Sequence, residues 1–428
     1  MTRVFLLSGL FLINLYSWNA IQPLHANDIA WTMVVVPDTQ NYRSGNGHLQ
    51  ELYDTMQWIV DNKETRNIEI VASQGDFTSN RPVDWVNQAN AWGTLNGEVP
   101  YIVVTGNHDY DPFGKPIADH DATLINEYFA VADNPLNSIT TERIPGRIEN
   151  SYTEFQAPDG RNMLVFSLEW QSRPEVLDWA NSIAGQSQFA NHTAVVLTHG
   201  YLREGHLNPD GTDNAFRTEE DGEPMWNGLV RHHENFELVS NGHYLDWNDD
   251  NPYGPLTTGR QTSIGDNGNV VHEIVFNAQE QPNGGNGYIR LMEFMNDGST
   301  VQVRTYSPTL DVWLTNDRNE FQFQLTPLFS ADFDGDDDID GSDFLAWQRG
   351  FGSTEFSPGD ANNDGMINSL DLAIWQQQYA TDAALSSTLS IPEPQTVMLF
   401  SVAFALCFSF FRRGVLLRKS IYMGQRTI

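Results

Sequence analysis

At residues 101–109 the chain runs Tyr101-Ile102-Val103-Val104-Thr105-Gly106-Asn107-His108-Asp109. The apolar run with β-branched residues predicts a buried strand, and the glycine predicts a turn directly after it. An amide, an imidazole and a carboxylate therefore follow the carboxyl end of a strand, where open α/β sheets hold their functional groups. Because Asn and Asp are also ordinary turn residues, this interpretation depends on partners elsewhere in the chain.

The residues before this stretch repeat the same pattern. Apolar runs predict strands at 31–36 and 68–72, and apolar residues at near-helical spacing predict helices at 48–60 and 82–95. Each of these strands also ends in polar residues. Since strands that alternate with helices favour parallel pairing, the sequence predicts a mostly parallel inner sheet.

The residues after this stretch form a less regular pattern. We predict helices at 119–130, 174–183 and 225–233, strands at 151–156, 163–169, 193–197 and 236–239, and a substrate-side flap in the Gly- and Asp-rich loop 201–224. Antiparallel strands at 270–276, 287–294, 300–306 and 321–325 are expected to close a second sheet. The sequence thus predicts an α/β (α+β) domain over residues 28–327.

Composition limits the classes of function. The 428 residues include 23 Lys and Arg against 56 Asp and Glu, which gives a net charge of −33. This charge argues against binding to a nucleic-acid backbone and suits an exported protein rich in cation-binding carboxylates. The single cysteine, Cys407, excludes an intramolecular disulfide.

The N-terminus carries the features of a secretory signal peptide over residues 1–26. Arg3 precedes an apolar stretch at 4–16, and Leu24-His25-Ala26 forms a cleavage site. We therefore expect export to the cell envelope or the extracellular space. The alternative, a buried first strand or helix, would place this apolar run directly before the separate strand at 31–36.

The C-terminus carries a second targeting pattern. Ile391-Pro392-Glu393-Pro394 precedes an apolar run at 397–411, which Arg412-Arg413 follows. This order resembles the PEP-CTERM sorting signal of bacterial exported proteins over residues 391–419, after a linker at 381–390. The resemblance implies a transmembrane helix and cleavage by an exosortase-type membrane protease. A simple C-terminal membrane anchor, transient or lasting, is the alternative.

Polar residues at five predicted strand ends form a candidate metal centre. They are Asp38 with Gln40, Asp76, Asn107 with His108, His199 and His243. Carboxylates and imidazoles from separate loops are the ligands that a pair of divalent ions needs, with one aspartate bridging both. A lone histidine after a strand is more often an ordinary loop residue, so the order of all five decides the interpretation.

In this order the chain resembles the calcineurin-like metallophosphoesterase family over residues 30–307. The resemblance implies a four-layer αββα sandwich of two mixed sheets, a phosphate-ester substrate, and one or two divalent ions such as Mn, Fe or Zn. It also implies the following roles: Asp38 and Gln40 face a first metal, Asp76 bridges, Asn107, His199 and His243 hold a second metal, and His108, oriented by Asp109, protonates the leaving group.

Two departures from the family pattern affect the first metal. Gln40 replaces a histidine, and Leu245 replaces the second histidine of the G-H-x-H motif. An amide is a weaker transition-metal ligand than imidazole, and leucine cannot bind a metal. We therefore predict a complete second site and a weak or substrate-assisted first site, with Tyr244 and Asp246 as possible substitute ligands.

An acidic segment at 330–380 contains an internal repeat of 28 residues. Ligands at positions one, three, five, nine and twelve, before an apolar helix, have the spacing of EF-hand calcium loops. The predicted calcium residues are Asp332, Asp334, Asp336, Asp338, Asp340 and Asp343 in the first repeat, and Asp360, Asn362, Asp364, Met366, Asn368 and Asp371 in the second.

The two repeats resemble a type I dockerin, a small all-α calcium-binding domain. The resemblance implies a cohesin-like protein partner. Because clustered carboxylates repel one another, we expect this segment to fold only with Ca2+ bound. The alternative is an acidic, disordered linker.

These features favour an exported, metal-dependent phosphoesterase that acts on a monoester or a diester through metal-activated water. One alternative is a pseudoenzyme whose phosphoesterase fold binds a ligand without turnover, which Leu245 motivates. Another is an assembly subunit at the cell surface that acts through its dockerin-like domain.

Overall fold

The computed structural model describes residues 28–78, 81–110, 119–204, 215–246, 256–328, 330–336, 338–353, 359–361 and 365–386. They divide after Leu328 into two compact units. The predicted signal peptide, the sorting signal with its transmembrane helix, and residues 387–390 of the predicted linker lie outside these residues. Among the described helices, none has the length and apolar character to cross a membrane.

The strands of the first unit follow one another in this order: β1 (Ile29–Val36), β2 (Ile68–Ser73), β3 (Tyr101–Ile102), β4 (Thr140–Ile144), β5 (Arg147–Gln156), β6 (Asn162–Ser167), β7 (Thr193–Leu197), β8 (Leu202–Arg203), β9 (Phe216–Arg217), β10 (Phe236–Asn241), β11 (Thr257–Ile264), β12 (Val270–Asn277), β13 (Ile289–Met295), β14 (Thr300–Ser307), β15 (Val312–Leu314) and β16 (Glu320–Gln324).

The α-helices are α1 (Leu49–Asn62), α2 (Pro82–Trp92), the single turn α3 (Ile125–Tyr128), α4 (Pro174–Ala184), α5 (Gly222–Gly228) and the short α6 (Pro282–Gly285), with α7 (Gly341–Gly350) and α8 (Ser369–Ser386) in the second unit. Pro82 and Pro174 each occupy the first helical position, where the missing N–H costs no hydrogen bond.

Two mixed sheets form the first unit. One has the order β15-β14-β13-β1-β2-β3, with β16 also paired to β14, and the other has the order β11-β12-β10-β7-β6-β5-β4. Strands β1, β2 and β3 are parallel in the first sheet, as are β6, β7, β10 and β12 in the second. The prediction of an α/β fold with two mixed sheets is confirmed.

Three apolar cores layer this unit as helix, sheet, sheet and helix. Alternate residues of β1 separate the first two cores: Val34 packs with Leu52 of α1, whereas Met33 packs with Val195 of the second sheet. The third core joins the outer face of the second sheet to α4 and α5. Since β1 is buried on both faces, its sequence is apolar except at Thr32.

The predicted sheet of the C-terminal strands was wrong in part. Of the four predicted strands, β12 alone joins the second sheet. Strands β13, β14 and β16 extend the first sheet on the other side of β1. Strand β13 is buried along its whole length, which requires an interior position. Strand β11, which is polar in sequence and lies at an edge, was not predicted.

Two predicted elements are shorter than expected. The helix at 119–130 is reduced to α3, because the side chains of Asp119 and Thr123 accept the backbone N–H groups of Asp121 and Ile125 that a helix would use. The predicted strand at 101–104 pairs with β2 at Tyr101 and Ile102 and ends there. Beyond it, the Val104 N–H donates to Ser73 Oγ at 2.9 Å instead of to a neighbouring strand.

The second unit contains a symmetrical pair of helical repeats. Trp347 of α7 donates its Nε1–H to the carbonyl of Asn368 at 2.8 Å, and Trp375 of α8 donates to the carbonyl of Asp340 at 3.0 Å. Both pairs are related by the 28-residue period of the sequence. The two repeats therefore occupy equivalent positions in one small unit.

The predicted calcium loops of this unit are only partly described. Asp343 and Asp371 are fully buried and accept equivalent backbone N–H groups in the two repeats. In the first loop, carboxylate oxygens of Asp332, Asp334 and Asp336 lie within 4.8 Å of one another. Asn362 and Asp364 of the second loop lie outside the described residues.

Candidate metal centre

The predicted site residues converge at the carboxyl ends of the central parallel strands. Asp38 follows β1, Asp76 follows β2, Asn107 follows the apolar run that begins with β3, His199 follows β7 and His243 follows β10. Asp38, Asp76, Asn107 and His199 are buried, and His243 is partly buried. Two sheets packed face to face thus bring five separate loops to one edge.

Four potential metal-ligand atoms meet at this edge, and His199 supplies the central one. Its Nε2 lies 2.9 Å from Asn107 Oδ1, 3.0 Å from His243 Nδ1 and 3.3 Å from Asp76 Oδ2. Ligand atoms around an ion with bonds of about 2.1 Å lie about 3.0–3.4 Å apart. The observed spacing therefore fits the ligand set of one divalent ion.

The tautomer of His199 strengthens this fit. Its Nδ1 lies 2.7 Å from the backbone carbonyl of Gln74, which can only accept, so Nδ1 carries a proton. In the neutral ring, Nε2 then presents a lone pair to the Asn107 oxygen, which is also an acceptor. Two acceptors at this distance require a cation between them, and a divalent ion or a proton can supply it.

Asp76 is held between the loops by backbone contacts. Its Oδ1 accepts the N–H of His108 at 2.8 Å, and its own φ is 51°. A Cβ at Gly106 would lie only 2.2 Å from Asp76 Oδ1, so the glycine of the Gly-Asn-His-Asp turn is required by close approach. This turn therefore fixes the position of the predicted bridging carboxylate.

A second group of residues contacts Asp76 and Asp38 with hydrogen-bond donors. Gln40 Nε2 donates to Asp76 Oδ2 at 3.0 Å and to Gln279 Oε1 at 2.6 Å. Asp38 accepts from Asn277 Nδ2 at 2.8 Å and from the N–H of His243 at 3.2 Å. Amide donors thus surround the carboxylates where the family resemblance predicted a first metal.

Neither predicted substitute for Leu245 reaches this side. The Tyr244 hydroxyl donates to Asp221 Oδ2 at 2.6 Å, and Asp246 forms an ion pair with Arg318 at 3.7 Å. Among the described residues, the potential metal group at this edge comprises Asp76, His199 and His243. The residues present do not fit the ligand set of a first ion.

Burial and mutual charge shift the pKa values of these groups. Burial alone would lower the pKa of His199, but the carboxylates of Asp76 and Asp38 raise it to about 10. Burial and the neighbouring His199 charge lower the pKa of His243 to about 3. Burial would raise the pKa of Asp76, yet His199 and its neighbours hold it below its usual value. The carboxylates therefore stabilise a positive charge at this cluster.

His108 and Asp109 occupy the predicted catalytic turn. His108 directly follows Asn107 in this turn and is partly exposed. The carboxylate of Asp109 accepts the N–H groups of Gly106 at 2.9 Å and Thr78 at 3.0 Å. These contacts stabilise the turn, and the orientation of His108 by Asp109 stays a prediction.

Sequence reasoning missed three residues that shape the centre. They are Gln74, whose carbonyl fixes the His199 tautomer, Asn277, which binds Asp38, and Gln279, which binds Gln40. Gln74 precedes the Gly-Asp pair and was available as a strand-end residue. Asn277 and Gln279 follow β12, which was predicted as a strand but carries no recognisable motif at its end.

Comparisons with known proteins agree with this geometry. The family described as calcineurin-like phosphoesterase matches residues 24–251. An uncharacterized protein of Bacillus subtilis (strain 168), YvnB, is 24% identical over 294 residues, which are 65% of this chain. The chain spans only 20% of the length of that relative.

Solved structures of low sequence identity also match. A dimetal phosphatase from Danio rerio has 13% identity and a TM-score of 0.40, with 70% of this chain and 100% of that chain covered. A purple acid phosphatase from yellow lupin (Lupinus luteus) seeds has 14% identity and a TM-score of 0.42, with 76% and 56% covered. TM-scores of this size do not establish a shared function.

Proposed function

The chain belongs to the calcineurin-like phosphoesterase family, and on that premise we propose that it is a metal-dependent hydrolase of phosphate monoesters or diesters. The observation that carries the proposal is the convergence of Asn107 Oδ1, His243 Nδ1 and Asp76 Oδ2 on His199 Nε2, at 2.9, 3.0 and 3.3 Å. Such a set of buried acceptors binds a cation such as Mn, Fe or Zn.

In this proposal the four ligand atoms, from Asp76, Asn107, His199 and His243, would hold one divalent ion. A bound ion of this kind neutralises phosphoryl oxygens and acidifies water for in-line attack. The chain contributes the preorganisation: the Gln74 carbonyl fixes the donor tautomer of His199, and the N–H of His108 fixes Asp76. Both contacts use backbone groups, so the donors need little reorganisation when the ion binds.

His108 is the proposed general acid. The residue is partly exposed, so a substrate can reach it, and it directly follows Asn107 in the turn. Protonation of the leaving alkoxide by a positioned imidazole contributes about 10²–10⁴-fold to rates of this kind. Asp109 supports this role by holding the turn through Gly106 and Thr78.

Hydrolysis of aryl phosphate monoesters and diesters tests the proposal. We expect turnover only with added Mn2+, Fe2+ or Zn2+, and loss of that turnover in Asp76→Asn, which keeps the shape of the side chain but removes its charge. His232→Gln is a matched control, because His232 is exposed and binds Asp266 away from the centre. Metal-independent turnover would count against the metal centre, and no turnover with either ester would count against hydrolysis.

A ligand-binding phosphoesterase fold without turnover is the second candidate. It is favoured by Leu245 and by the amide donors that face Asp38 and Asp76. The same assay separates the two functions. If the protein binds a divalent ion and a phosphate ester but leaves both ester classes intact, the binding function is correct.

We also propose that the second unit binds Ca2+ through its two repeats and contacts a cohesin-like protein at the cell surface. The grouping of Asp332, Asp334 and Asp336 and the equivalent contacts of both repeats support this. Circular dichroism of the full chain should lose helical signal on chelation. A spectrum that does not change with chelator would contradict calcium-dependent folding.

Export and C-terminal sorting by an exosortase-type protease complete the proposal. They rest on the patterns at residues 1–26 and 391–419. Intact-mass analysis of the protein from its native cells should show a new N-terminus near residue 27 and cleavage near Pro392-Glu393-Pro394. A mature protein that keeps both segments would contradict the processing.

A further inference from the structure

Gln40 contacts Asp76 Oδ2, the same oxygen that lies 3.3 Å from His199 Nε2. The side chain is 4% exposed, and its Nε2 bridges Asp76 Oδ2 at 3.0 Å and Gln279 Oε1 at 2.6 Å. Both partners can only accept a hydrogen bond through these atoms. The amide therefore presents its N–H groups, and not its oxygen, to the carboxylate.

Gln279, which accepts from Gln40, is itself held through its backbone. Its own backbone N–H donates to Asn277 Oδ1 at 2.9 Å, and its carbonyl accepts from Asn41 Nδ2 at 2.9 Å. Rotation of the Gln40 amide would place its oxygen against the oxygens of both Gln279 and Asp76. Such acceptor pairs are unfavourable in a buried site, so the described contacts hold the nitrogen towards Asp76.

Asp38 is stabilised in the same way. It accepts from Asn277 Nδ2 at 2.8 Å and from the backbone N–H of His243 at 3.2 Å. A Cβ at Gly242 would lie 2.2 Å from Asp38 Oδ1, so backbone packs directly against this carboxylate. Three amides from Gln40, Asn277 and the His243 backbone thus satisfy both acids.

We propose that the amide of Gln40, positioned by Gln279, takes the place of a first metal ion, so that the centre binds a single divalent ion. The inference rests on the proposed function for the ion itself, which Asp76 holds together with Asn107, His199 and His243. A buried carboxylate needs either a cation or hydrogen-bond donors, and here the donors are already present. Gln40 is then a positioning residue for Asp76 and not a metal ligand.

Metal content tests this inference. The full chain is saturated with Zn2+ in the presence of excess Ca2+, which occupies the acidic loops, and bound zinc is counted by mass spectrometry after gel filtration. We expect one zinc per chain in the wild type. Gln40→Glu replaces the donor by a third carboxylate beside Asp38 and Asp76, and we expect it to bind two.

Gln40→Leu is the matched control, because it removes the amide without adding charge. We expect it to keep one zinc, with an affinity about 10- to 100-fold below that of the wild type, as for loss of an outer-sphere contact. Circular dichroism checks the folding of both variants.

Each other result contradicts a different claim. Two zinc ions in the wild type would overturn the single-ion inference and leave the proposed hydrolase intact. One zinc in folded Gln40→Glu, or loss of zinc from folded Gln40→Leu, would overturn the role assigned to Gln40. If Gln40→Glu does not fold, Gln40→Leu decides the role. No zinc in the wild type would overturn both the inference and the proposed metal centre.

Discussion

Two groups of residues contact Asp76, and we call them the two halves of the centre. One half offers hydrogen-bond acceptors, and the other offers hydrogen-bond donors. On one half, Asn107 Oδ1 and His243 Nδ1 each lie within 3.0 Å of His199 Nε2. On the other half, Gln40 donates to the same carboxylate at 3.0 Å. Acceptors that converge need a cation, whereas donors make one unnecessary, so one buried carboxylate serves two different environments.

The largest expected effect follows from removal of a proposed metal ligand, on the half where hydrogen-bond acceptors converge. His199→Gln deletes the ring nitrogen on which three other proposed ligand atoms converge, at 2.9, 3.0 and 3.3 Å. We expect divalent-ion affinity to fall by at least about 100-fold, since loss of a ligand exceeds the effect of its outer-shell partner. Turnover of phosphate esters should be lost as well.

Titration calorimetry with Zn2+ and Ca2+-saturated protein measures this change. His232→Gln removes a histidine of similar chemistry whose ring is bound to Asp266 at 2.9 Å on the surface. Its affinity should match that of the wild type. Equal zinc affinities of His199→Gln and His232→Gln would show that the acceptor half does not hold the ion.

The second expected effect concerns the ring beside the two halves. His108→Asn keeps the backbone N–H that binds Asp76 at 2.8 Å but removes the imidazole. We expect kcat to fall about 10²-fold or more for a poor leaving group, while zinc affinity stays unchanged. The loss should shrink for a nitrophenolate leaving group, which needs no proton. An equal loss for both leaving groups would argue against general-acid catalysis.

The smallest expected effect lies on the donor half. Asn277→Leu leaves the buried Asp38 without one of its described donors, at 2.8 Å. We expect about 1–3 kcal/mol of lost stability, as for an unsatisfied buried polar group. Zinc affinity should hardly change, because Asn277 contacts none of the four proposed donors in the described structure. Denaturant unfolding and calorimetry measure the two quantities. A large loss of zinc affinity would place Asp38 in the ion site.

The sequence predicted the acceptor half well and the donor half poorly. Asn107, His199 and His243 each follow an apolar run with one to three residues between, so their place at the sheet edge could be read from local order. Gln40 was recognised only as a departure from a family pattern. Its partner Gln279 lies 239 residues away, and nothing in a single glutamine indicates a contact at that distance.

The fold was predictable to the same extent. Apolar periodicity located nearly all central strands, because each must be buried. It could not assign β13 and β14 to a sheet, since the pattern of buried residues does not specify a neighbour. The predicted helix at 119–130 was wrong because short polar side chains there bind the backbone.

X-ray absorption at the zinc edge of the Ca2+-saturated full chain tests the central claim most directly. The account predicts a first shell of nitrogen and oxygen ligands that includes two imidazoles, from His199 and His243, and no second zinc at about 3.5–4 Å. One imidazole should disappear in His243→Gln. A first shell without imidazole in the wild-type protein would contradict the metal centre described above.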